Sequence, residues 1–477
     1  MTTNQLLIAV TFIGVLLSFT VVGMYSATQK QSTTTDYLLA SRNVNPWLTA
    51  LSAMATGQSG LLFIGQVGFA YKVGISSIWL VIGWAIGDYL AWLFFFKKLR
   101  QMSEDTSSET VSSFLAQNTS GISARLISII SAIVTIAFLG SYAASQLIAG
   151  SKALNVVFGW EYYLGIVLGT IIVVIYCFSG GIRASIWTDA VQAIVMVGSL
   201  LLLITVALAN IGGVGQLWSK LASIDPQLVS WNPTNLPLGF LPFFIGWIVA
   251  GFGVVGQPHI LVRAMAIDSA RNVGLALNIK LFFGLVNSVS AIAIGLAARI
   301  LLPELMNGGD PELALPLLAQ ELLPAVPVGI MLSGVFSATM STADSQILSC
   351  STALTQDIFP NFANSYKFAK LGTLIVTMIV LSIALVGDRS VFLLVTFSWS
   401  ALASALGPLL ILRIWERPVS TPVAIAMMGV GIATALIWSQ VLNLSGIVYE
   451  VLPGMLASAL IYIITQIFTT NSISTNK

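Results

Sequence analysis

Two stretches of sequence decide the fold, ATGQSG at residues 55–60 and GFGVVGQPH at residues 251–259. Each lies inside an apolar run long enough to cross a bilayer as a helix. Glycine and proline weaken a helix, and proline also removes a backbone donor. Backbone that is not helical is tolerated at membrane depth only where it lines protein or a cavity. Both stretches are therefore predicted to be helix breaks beside a binding site, although for either one alone close helix packing is an open alternative.

The composition of the chain fits lipid rather than water as its surroundings. Of the 477 residues, 57% are hydrophobic and 8% are charged, whereas soluble domains carry about 25% charged residues. The predicted fold class is an all-α polytopic membrane protein with 13 transmembrane helices. The predicted spans are residues 5–27, 44–71, 75–96, 124–150, 162–179, 185–210, 238–258, 274–302, 325–356, 368–386, 390–412, 421–441 and 448–468.

The two interrupted spans are the second and the seventh, five apart, as expected for two inverted five-helix repeats that each begin with a broken helix. Fourteen Lys and Arg residues fall in predicted inner loops and five in outer loops, which places the N-terminus outside and the C-terminus inside. The start of the chain lacks Lys and Arg, so the first helix is expected to be retained. The predicted divisions are 1–43 (peripheral helix and loop), 44–237 and 238–420 (the two repeats), and 421–477 (two C-terminal helices).

A polar segment, SATMSTADSQ at residues 337–346, lies in the ninth predicted span. Its small and hydroxyl-bearing residues recur at i, i+3, i+4 and i+7, on one helical face. Hydroxyls, together with carbonyls freed by an unwound helix, are oxygen ligands suited to a small alkali cation. Bonds from these hydroxyls to the carbonyl four residues earlier are an equally open alternative. The predicted cation site consists of Ala55, Gln58, Ala338, Ser341 and Thr342.

Three aspartates lie within predicted spans. A carboxylate at mid-membrane costs about 2.5–3.5 kcal/mol and needs a partner or water, and Asp344 on the polar segment is the acid that favours a cation site. Asp189 lies near Arg183, so an interfacial ion pair is an open alternative for it. Asp88 has no cation in its own span, and acceptance of hydrogen bonds from Trp or Tyr is an open alternative there.

The remaining polar residues are assigned structural roles. Glu450 begins the last span and is predicted to be interfacial, and His259, the only histidine, is predicted to be a hydrogen-bonding strut. The sequence contains no catalytic triad in a plausible context and no His/Cys metal cluster. Glycines at 251–256 match G-x-G-x-x-G in letters but follow no strand, so a nucleotide site is not indicated. We therefore expect no enzymatic activity.

The chain resembles a known family in motifs that occur in order along most of its length. They are ALSAMATGQSG at 50–60, SGGIRASIWTDAVQA at 179–193, GQPHILVRAMAIDS at 256–269, SATMSTADSQILSCSTALTQD at 337–357 and GP at 407–408. These motifs are similar to the sodium/solute symporter family, most of all to its proline-carrying bacterial members. The resemblance implies 13 spans, an inverted-repeat core of the leucine-transporter type, and a place in the bacterial inner membrane with the C-terminus cytoplasmic.

Site residues follow from the resemblance position by position. It assigns sodium, Na+, to the cation site already described. A further cation site of sialic-acid-carrying relatives matches Asp189, Ser341, Asp344 and Ser345. Where enterobacterial proline carriers have an Asp, a Trp and a Tyr, this chain has Gly57, Ala250 and Val254, whereas Tyr142 and Ser145 match. The residues predicted to contact solute are Thr56, Gly57, Ser59, Tyr142, Ser145, Ala250, Val254, Pro258, Ser398 and Ser400.

The function implied is sodium-coupled symport of a small solute by alternating access, with proline or a related amino acid first. Symport of an organic acid, pantothenate, a sugar or urea is open, as is a proton-coupled carrier that uses Asp88 or Asp344. A membrane sensor is disfavoured because no signalling domain follows Phe468. The expected partners are the solute, sodium and the bilayer, with no nucleic acid and no required oligomer.

Overall fold

The computed structural model describes residues 2–28, 34–117, 119–234, 236–362, 365–387 and 390–474, and these residues form helices joined by short connections. The helices of the first half are α1 Thr3–Ala27, α2 Thr34–Leu39, α3 Pro46–Gly60, α4 Val67–Val73, α5 Ile78–Ala91, α6 Lys97–Asp105, α7 Val111–Leu115, α8 Gly121–Val134, α9 Gly140–Phe158, α10 Tyr162–Ile211 and α11 Val214–Ile224. Those of the second half are α12 Phe240–Phe252, α13 Pro258–Ala266, α14 Val273–Leu301, α15 Ala314–Leu322, α16 Ala325–Thr352, α17 Tyr366–Val386, α18 Val391–Ile414, α19 Thr421–Leu436 and α20 Val451–Ser474.

The expected membrane fold is confirmed, but the expected 13 spans are not. Within the described residues, ten helices are long and apolar enough to cross a membrane, or eleven if the bent pair α12 and α13 counts as one span. Two predicted spans fall within the single run Pro46–Asp105, and the predicted span 162–179 appears only as the shorter apolar helix Tyr162–Ile175. Helix length and hydropathy alone group these residues into fewer spans than the apolar runs and loop residues of the sequence predict. The four domain divisions stay predictions.

Both predicted helix breaks are present. In α3, Ser59 has φ 54° and ψ −172°, a conformation that non-glycine residues rarely adopt. In the seventh predicted span, α12 stops, a short 3-10 turn at Gly253–Gly256 follows, and α13 continues with a bend of 62°. The glycine and proline signals therefore located backbone interruptions and not only close packing.

Helices α16 and α18 lie at the centre of the bundle. In their most apolar 18-residue windows, 78% and 83% of the residues are buried, against 22% for α1 and for the span Val451–Phe468. The outer helices expose large apolar side chains such as Val21 and Phe468, which suits contact with lipid. The polar segment 337–346 of α16 is buried throughout, so its hydroxyls and carboxylate face protein and not the bilayer.

Candidate functional site: the broken helices and their cavities

The break in α3 is held open by polar groups from α9. Gln146 Oε1 accepts a hydrogen bond from the Gly60 amide at 2.7 Å, and the Tyr142 hydroxyl donates to Ser59 Oγ at 3.2 Å. A Cβ on Gly60 would lie 2.8 Å from Thr339 of α16, so glycine is required by this close approach. Ser59 and Tyr142, both predicted solute contacts, thus meet here as supports of the break.

The break between α12 and α13 is packed against α18. Gln257 Nε2 donates to the Trp399 carbonyl at 3.0 Å, and Trp399 Nε1 donates to the Ala250 carbonyl at 2.8 Å. Pro258 begins α13, where its missing amide donor costs nothing. A Cβ on Gly256 would lie 2.6 Å from α18 backbone. The Ala250 carbonyl at this break is therefore bonded by α18.

The predicted sodium site joins α3 to α16. Thr342 Oγ1 donates to the Ala338 carbonyl at 2.9 Å and lies 3.1 Å from the Thr56 carbonyl. Ser341 Oγ donates to the Ala338 carbonyl at 3.3 Å. Bonds back along the helix, the alternative left open by the sequence, are therefore present, and so is the link to α3. Thr56, predicted as a solute contact, lies beside this predicted sodium site.

Ala55 and Gln58 lie on α3, beside the predicted sodium site. Ala55 is fully buried. The Gln58 side chain turns towards α14, where it donates to the Gly284 carbonyl at 2.7 Å and accepts from Asn287 Nδ2 at 2.8 Å. Sequence reasoning missed Asn287 and the neighbouring Ser288, which lies 3.4 Å from Gln58 Nε2. The available signal was a pair of polar residues inside an otherwise apolar span.

Asp189 lies at the centre of the predicted second cation site. Its Oδ2 accepts from Ser52 Oγ at 2.6 Å and from Arg263 Nη2 at 3.0 Å. The same Arg263 nitrogen also donates to Ser345 Oγ. Asp344 is close enough to Asp189 for the two carboxylates to interact electrostatically. The four predicted residues are thus brought together, with Ser345 donating to the Ser341 carbonyl at 2.6 Å, but a protein guanidinium lies among them.

Two expectations about this region are wrong. Arg183, the alternative ion-pair partner of Asp189, instead pairs with Asp36 of α2 at 2.5 Å, because six positions along a helix is not the spacing of three or four that brings side chains together. Arg263, counted on the sequence as an inner-loop charge, is completely buried. Its position six residues after Gln257 in a mostly apolar stretch was the only signal of burial.

His259 is not the predicted hydrogen-bonding strut. Neither ring nitrogen has a hydrogen-bond partner among the residues that the structure describes. The imidazole packs edge-on against the Tyr142 ring, with centroids 5.7 Å apart, and its backbone carbonyl accepts from Arg263. The side chain therefore acts as a packing element between α13 and α9.

Asp88 pairs with Lys280, not with Trp or Tyr donors as the sequence suggested. The Lys280 ammonium bonds to Asp88 Oδ2 and lies 5.1 Å from the centre of the Trp92 ring. The pair lines a cavity of about 110 Å³ between the two breaks, called here the small cavity. Its other lining residues include Gly57, Gln58, Trp84, Val254, Ser288 and Trp399.

The predicted solute contacts divide among several places. Gly57 and Val254 line the small cavity, whereas Pro258 lines a different cavity with Asp357. Ser145 Oγ donates to the Tyr142 carbonyl at 2.6 Å. Ala250 is buried, and its carbonyl accepts a hydrogen bond from Trp399 Nε1. Ser400 Oγ donates to Glu450 at 3.2 Å. Ser398 Oγ has no hydrogen-bond partner within the described part of the chain. In the described structure, the lining of the small cavity does not include Ser145, Ala250, Ser398 or Ser400.

A much larger cavity of about 1070 Å³, the vestibule, lies beside the small one. Its lining includes Lys72, Asp225, Trp247, Phe392, Phe397, Tyr449 and Glu450. A row of aromatic rings runs from the vestibule to the small cavity. Tyr449 stacks on Trp247 with ring centres 4.7 Å apart, Trp247 lies 6.4 Å from Trp84, and Trp84 lies 4.7 Å from Trp399. Two of these rings line the vestibule and two line the small cavity.

Known proteins share this architecture over almost the whole chain. The sialic acid symporter solved as "Substrate-bound outward-open state of a Na+-coupled sialic acid symporter reveals a novel Na+-site" has a TM-score of 0.79 at 19% identity, covering 95% of this chain and 96% of that one. Mhp1, a nucleobase-cation-symport-1 family transporter solved in a closed conformation with bromovinylhydantoin bound, has a TM-score of 0.57 at 18% identity, covering 91% of this chain and 95% of its own. At such identities the likeness shows the fold, which is that of these two transporters.

Sequence comparison gives the family. The model of the sodium:solute symporter family matches residues 37–432. The high-affinity proline transporter PutP of Bacillus subtilis (strain 168) is 32% identical over 93% of this chain and 95% of its own. The osmoregulated proline transporter OpuE of the same organism is 30% identical over 96% and 93%. The matched region contains both broken helices and the polar face of α16, and the chain belongs to the sodium:solute symporter family.

Proposed function

We propose that the chain imports proline, or a related small amino acid, together with sodium, by alternating access around the broken helices. Two relatives named as proline transporters are 32% and 30% identical to it over nearly their full lengths, which supports proline as the first solute to test. The observation that carries the proposal is the 3.1 Å contact between Thr342 Oγ1 and the Thr56 carbonyl, because it joins the buried helix α16 to α3 beside the break.

Sodium would bind at this junction, with the Ala55, Gln58 and Ala338 carbonyls and the Ser341 and Thr342 hydroxyls as its ligands. Both hydroxyls bond to protein carbonyls, and they would be turned towards the ion by rotation about one bond. An ion shared between α3 and α16 stabilises the arrangement in which the two helices touch. Each sodium that crosses 100 mV contributes about 2.3 kcal/mol beyond its concentration gradient.

The Arg263–Asp189 pair would close the path on the predicted inner side. It connects α13 to α10, and Ser52 adds α3 to the same network. Because both charges are buried, separating them is unfavourable unless water or a cation enters. Opening of this network would therefore be coupled to hydration of the inner path and to the departure of sodium.

The small cavity suits a small solute with both charges. Its volume of about 110 Å³ lies below the roughly 300–1,000 Å³ typical of sites for drug-sized ligands. Asp88 and Lys280 form an ion pair on its wall, so a solute's ammonium and carboxylate would bind there by replacing the contact between these two groups. The small residue Gly57 on its wall leaves open a different small carboxylate as the solute. A proton-coupled carrier is disfavoured at Asp88, because Lys280 already engages that carboxylate.

The test is the sodium dependence of proline uptake by Thr342→Ala. Losing one of about five ligands is expected to raise the sodium concentration for half-maximal uptake at least tenfold, since tenfold corresponds to about 1.4 kcal/mol. Thr352→Ala is the matched control, because Thr352 makes the same bond to the carbonyl four residues earlier at the far end of α16. Unchanged sodium dependence in Thr342→Ala would remove the proposed site.

A further inference from the structure

Arg413, in the last turn of α18, is a buried guanidinium without an acidic partner in the described part of the chain. It was counted on the sequence as an inner-loop charge, yet only 2% of the residue is exposed. The ion pairs among the described residues do not include it, and the nearby acid Glu416 is exposed. A buried charge that nothing compensates is costly. An anion from outside the described residues would compensate this one.

The hydrogen bond of Arg413 explains its position but not its charge. Nε donates to the Leu115 carbonyl at 2.9 Å, at the end of α7, where helix carbonyls carry partial negative charge. This capping of α7 is a structural explanation for the arginine, but it uses one of five N–H donors. Nη2 is buried without a hydrogen-bond partner in the described part of the chain. Nη1 also donates to no described residue, but it is not enclosed, so an acceptor can reach the guanidinium there.

The end of α18 also carries an exposed tryptophan and a second cation. Glu416 has φ 54°, and the Arg417 amide donates to the Leu412 carbonyl at 2.9 Å, which is the Schellman ending of a helix. Trp415 is 52% exposed, and the Lys98 ammonium of α6 lies 5.0 Å from the centre of its ring. Positive charge is therefore supplied to this helix end by α6 as well as by α18.

The residues before Lys98 place this helix end at the level of lipid head groups. Leu93 and Phe94 are 49% and 56% exposed, as expected for side chains that face acyl chains. Phe95 lies 6.4 Å from the Trp415 ring, and Lys97 is the first charged residue after this apolar run. Aromatic residues followed by lysine are typical of a membrane boundary, and in the predicted orientation this boundary is the inner one.

We propose that Arg413, assisted by Lys98, binds the phosphate group of an acidic phospholipid from the leaflet at this end of α18. The arginine fork suits two phosphate oxygens, and basic pockets between membrane helices on the cytoplasmic side suit acidic head groups. Free phosphate offers the same oxygens, but only a lipid also covers the exposed apolar surface of Leu93 and Phe94. The bound lipid would join α18 to α6 and α7. This site goes beyond the proposed symport and does not rest on it.

The test measures binding of phosphatidylglycerol to the purified full chain in detergent, by native mass spectrometry at increasing lipid concentration. Wild type should bind it at least tenfold more tightly than phosphatidylcholine, whose phosphate is balanced by its own ammonium. Arg413→Gln should weaken phosphatidylglycerol binding at least tenfold, and Lys98→Gln about threefold. Arg271→Gln is the matched control, because it removes the same charge from an exposed residue of the turn Ala270–Asn272. Binding by this control should stay within twofold of wild type.

A second measurement separates binding from folding, because Arg413→Gln also removes the bond to Leu115. Phosphatidylglycerol should raise the melting temperature of wild type and of Arg271→Gln, whereas Arg413→Gln should lose most of this rise whatever its starting temperature. Equal phosphatidylglycerol binding by wild type and Arg413→Gln, or equal binding of the two lipids by wild type, would overturn the proposal. Inorganic phosphate that stabilises wild type as much as phosphatidylglycerol does would assign the site to free phosphate and also overturn it.

Discussion

Arg263 gives the sharpest prediction about the second cation site. Its guanidinium lies among Asp189, Ser345 and Ser52, and in the ion pair the Arg263 and Asp189 side chains are 0% and 1% exposed. Breaking a buried ion pair by removing one partner costs about 3–5 kcal/mol, because a buried charge is left without compensation. Arg263→Gln is therefore expected to lower the free energy of unfolding by about that amount in potassium buffer.

Sodium should reverse much of this loss. With the guanidinium gone, Asp189, Asp344 and the Ser341 and Ser345 oxygens form an acidic, hydroxyl-lined space. A ligand that binds only the folded state adds about 2.7 kcal/mol at a hundred times its dissociation constant. We expect Arg263→Gln to gain more thermal stability from sodium than wild type does, measured by a melting series from zero to saturating sodium.

Arg183→Gln is the matched control for this experiment. It also breaks a largely buried arginine–aspartate pair, Arg183 with Asp36, but away from the predicted cation residues. It should lose stability in potassium and show no more response to sodium than wild type. If Arg263→Gln were as stable as wild type, or responded to sodium no more than Arg183→Gln, the guanidinium would not occupy a cation site.

Three further outcomes follow from buried contacts. Lys280→Gln should destabilise the protein by about 3–5 kcal/mol, and adding Asp88→Asn should recover part of the loss in denaturation experiments, because the double variant leaves no unpaired charge; an additive loss would contradict the pairing. Glu312→Gln should lower the melting temperature, since Glu312 bonds to the Lys152 ammonium at 2.6 Å and to two amides that begin α18; an unchanged melting temperature would count against this link. Ala250→Trp should reduce the yield of folded protein, because Ala250 is fully buried and overpacking costs about 1–3 kcal/mol; normal yield with tighter proline binding would show spare room there.

The backbone of the site was predictable from the sequence, whereas its charge pairing was not. Glycine and proline act locally, so the breaks at residues 55–60 and 251–259 could be located, although the strained residue is Ser59 and not a glycine. The pair of Asp88 with Lys280 joins residues 192 positions apart, and no local pattern encodes which cation reaches which acid. Arg183 and Arg263 were assigned wrongly for the same reason, because proximity in sequence was taken for proximity in space.

The expected number of 13 spans is not confirmed, for a related physical reason. Apolar length and loop signals gave 13 spans, whereas by length and hydropathy the run Pro46–Asp105 counts once, although it is interrupted at Ser59 and Gly74, and within Tyr162–Ile211 only Gly181–Ile211 is long enough to count. The loop signals at this point are real on a short scale: Lys72 lies in the last turn of α4, and Gly74, with φ +78°, joins α4 to the next helical turn without a longer loop. Composition fixes the membrane class of the protein, whereas the points at which the chain re-enters the bilayer depend on packing.

The most direct test of the central claim is proline accumulation in proteoliposomes that contain only this chain. An inward sodium gradient at constant pH should concentrate labelled proline above its external level. A proton gradient with potassium in place of sodium should not, and an imposed negative interior potential should increase the sodium-driven accumulation. Accumulation driven by protons without sodium, or equilibration without concentration under a sodium gradient, would contradict the account.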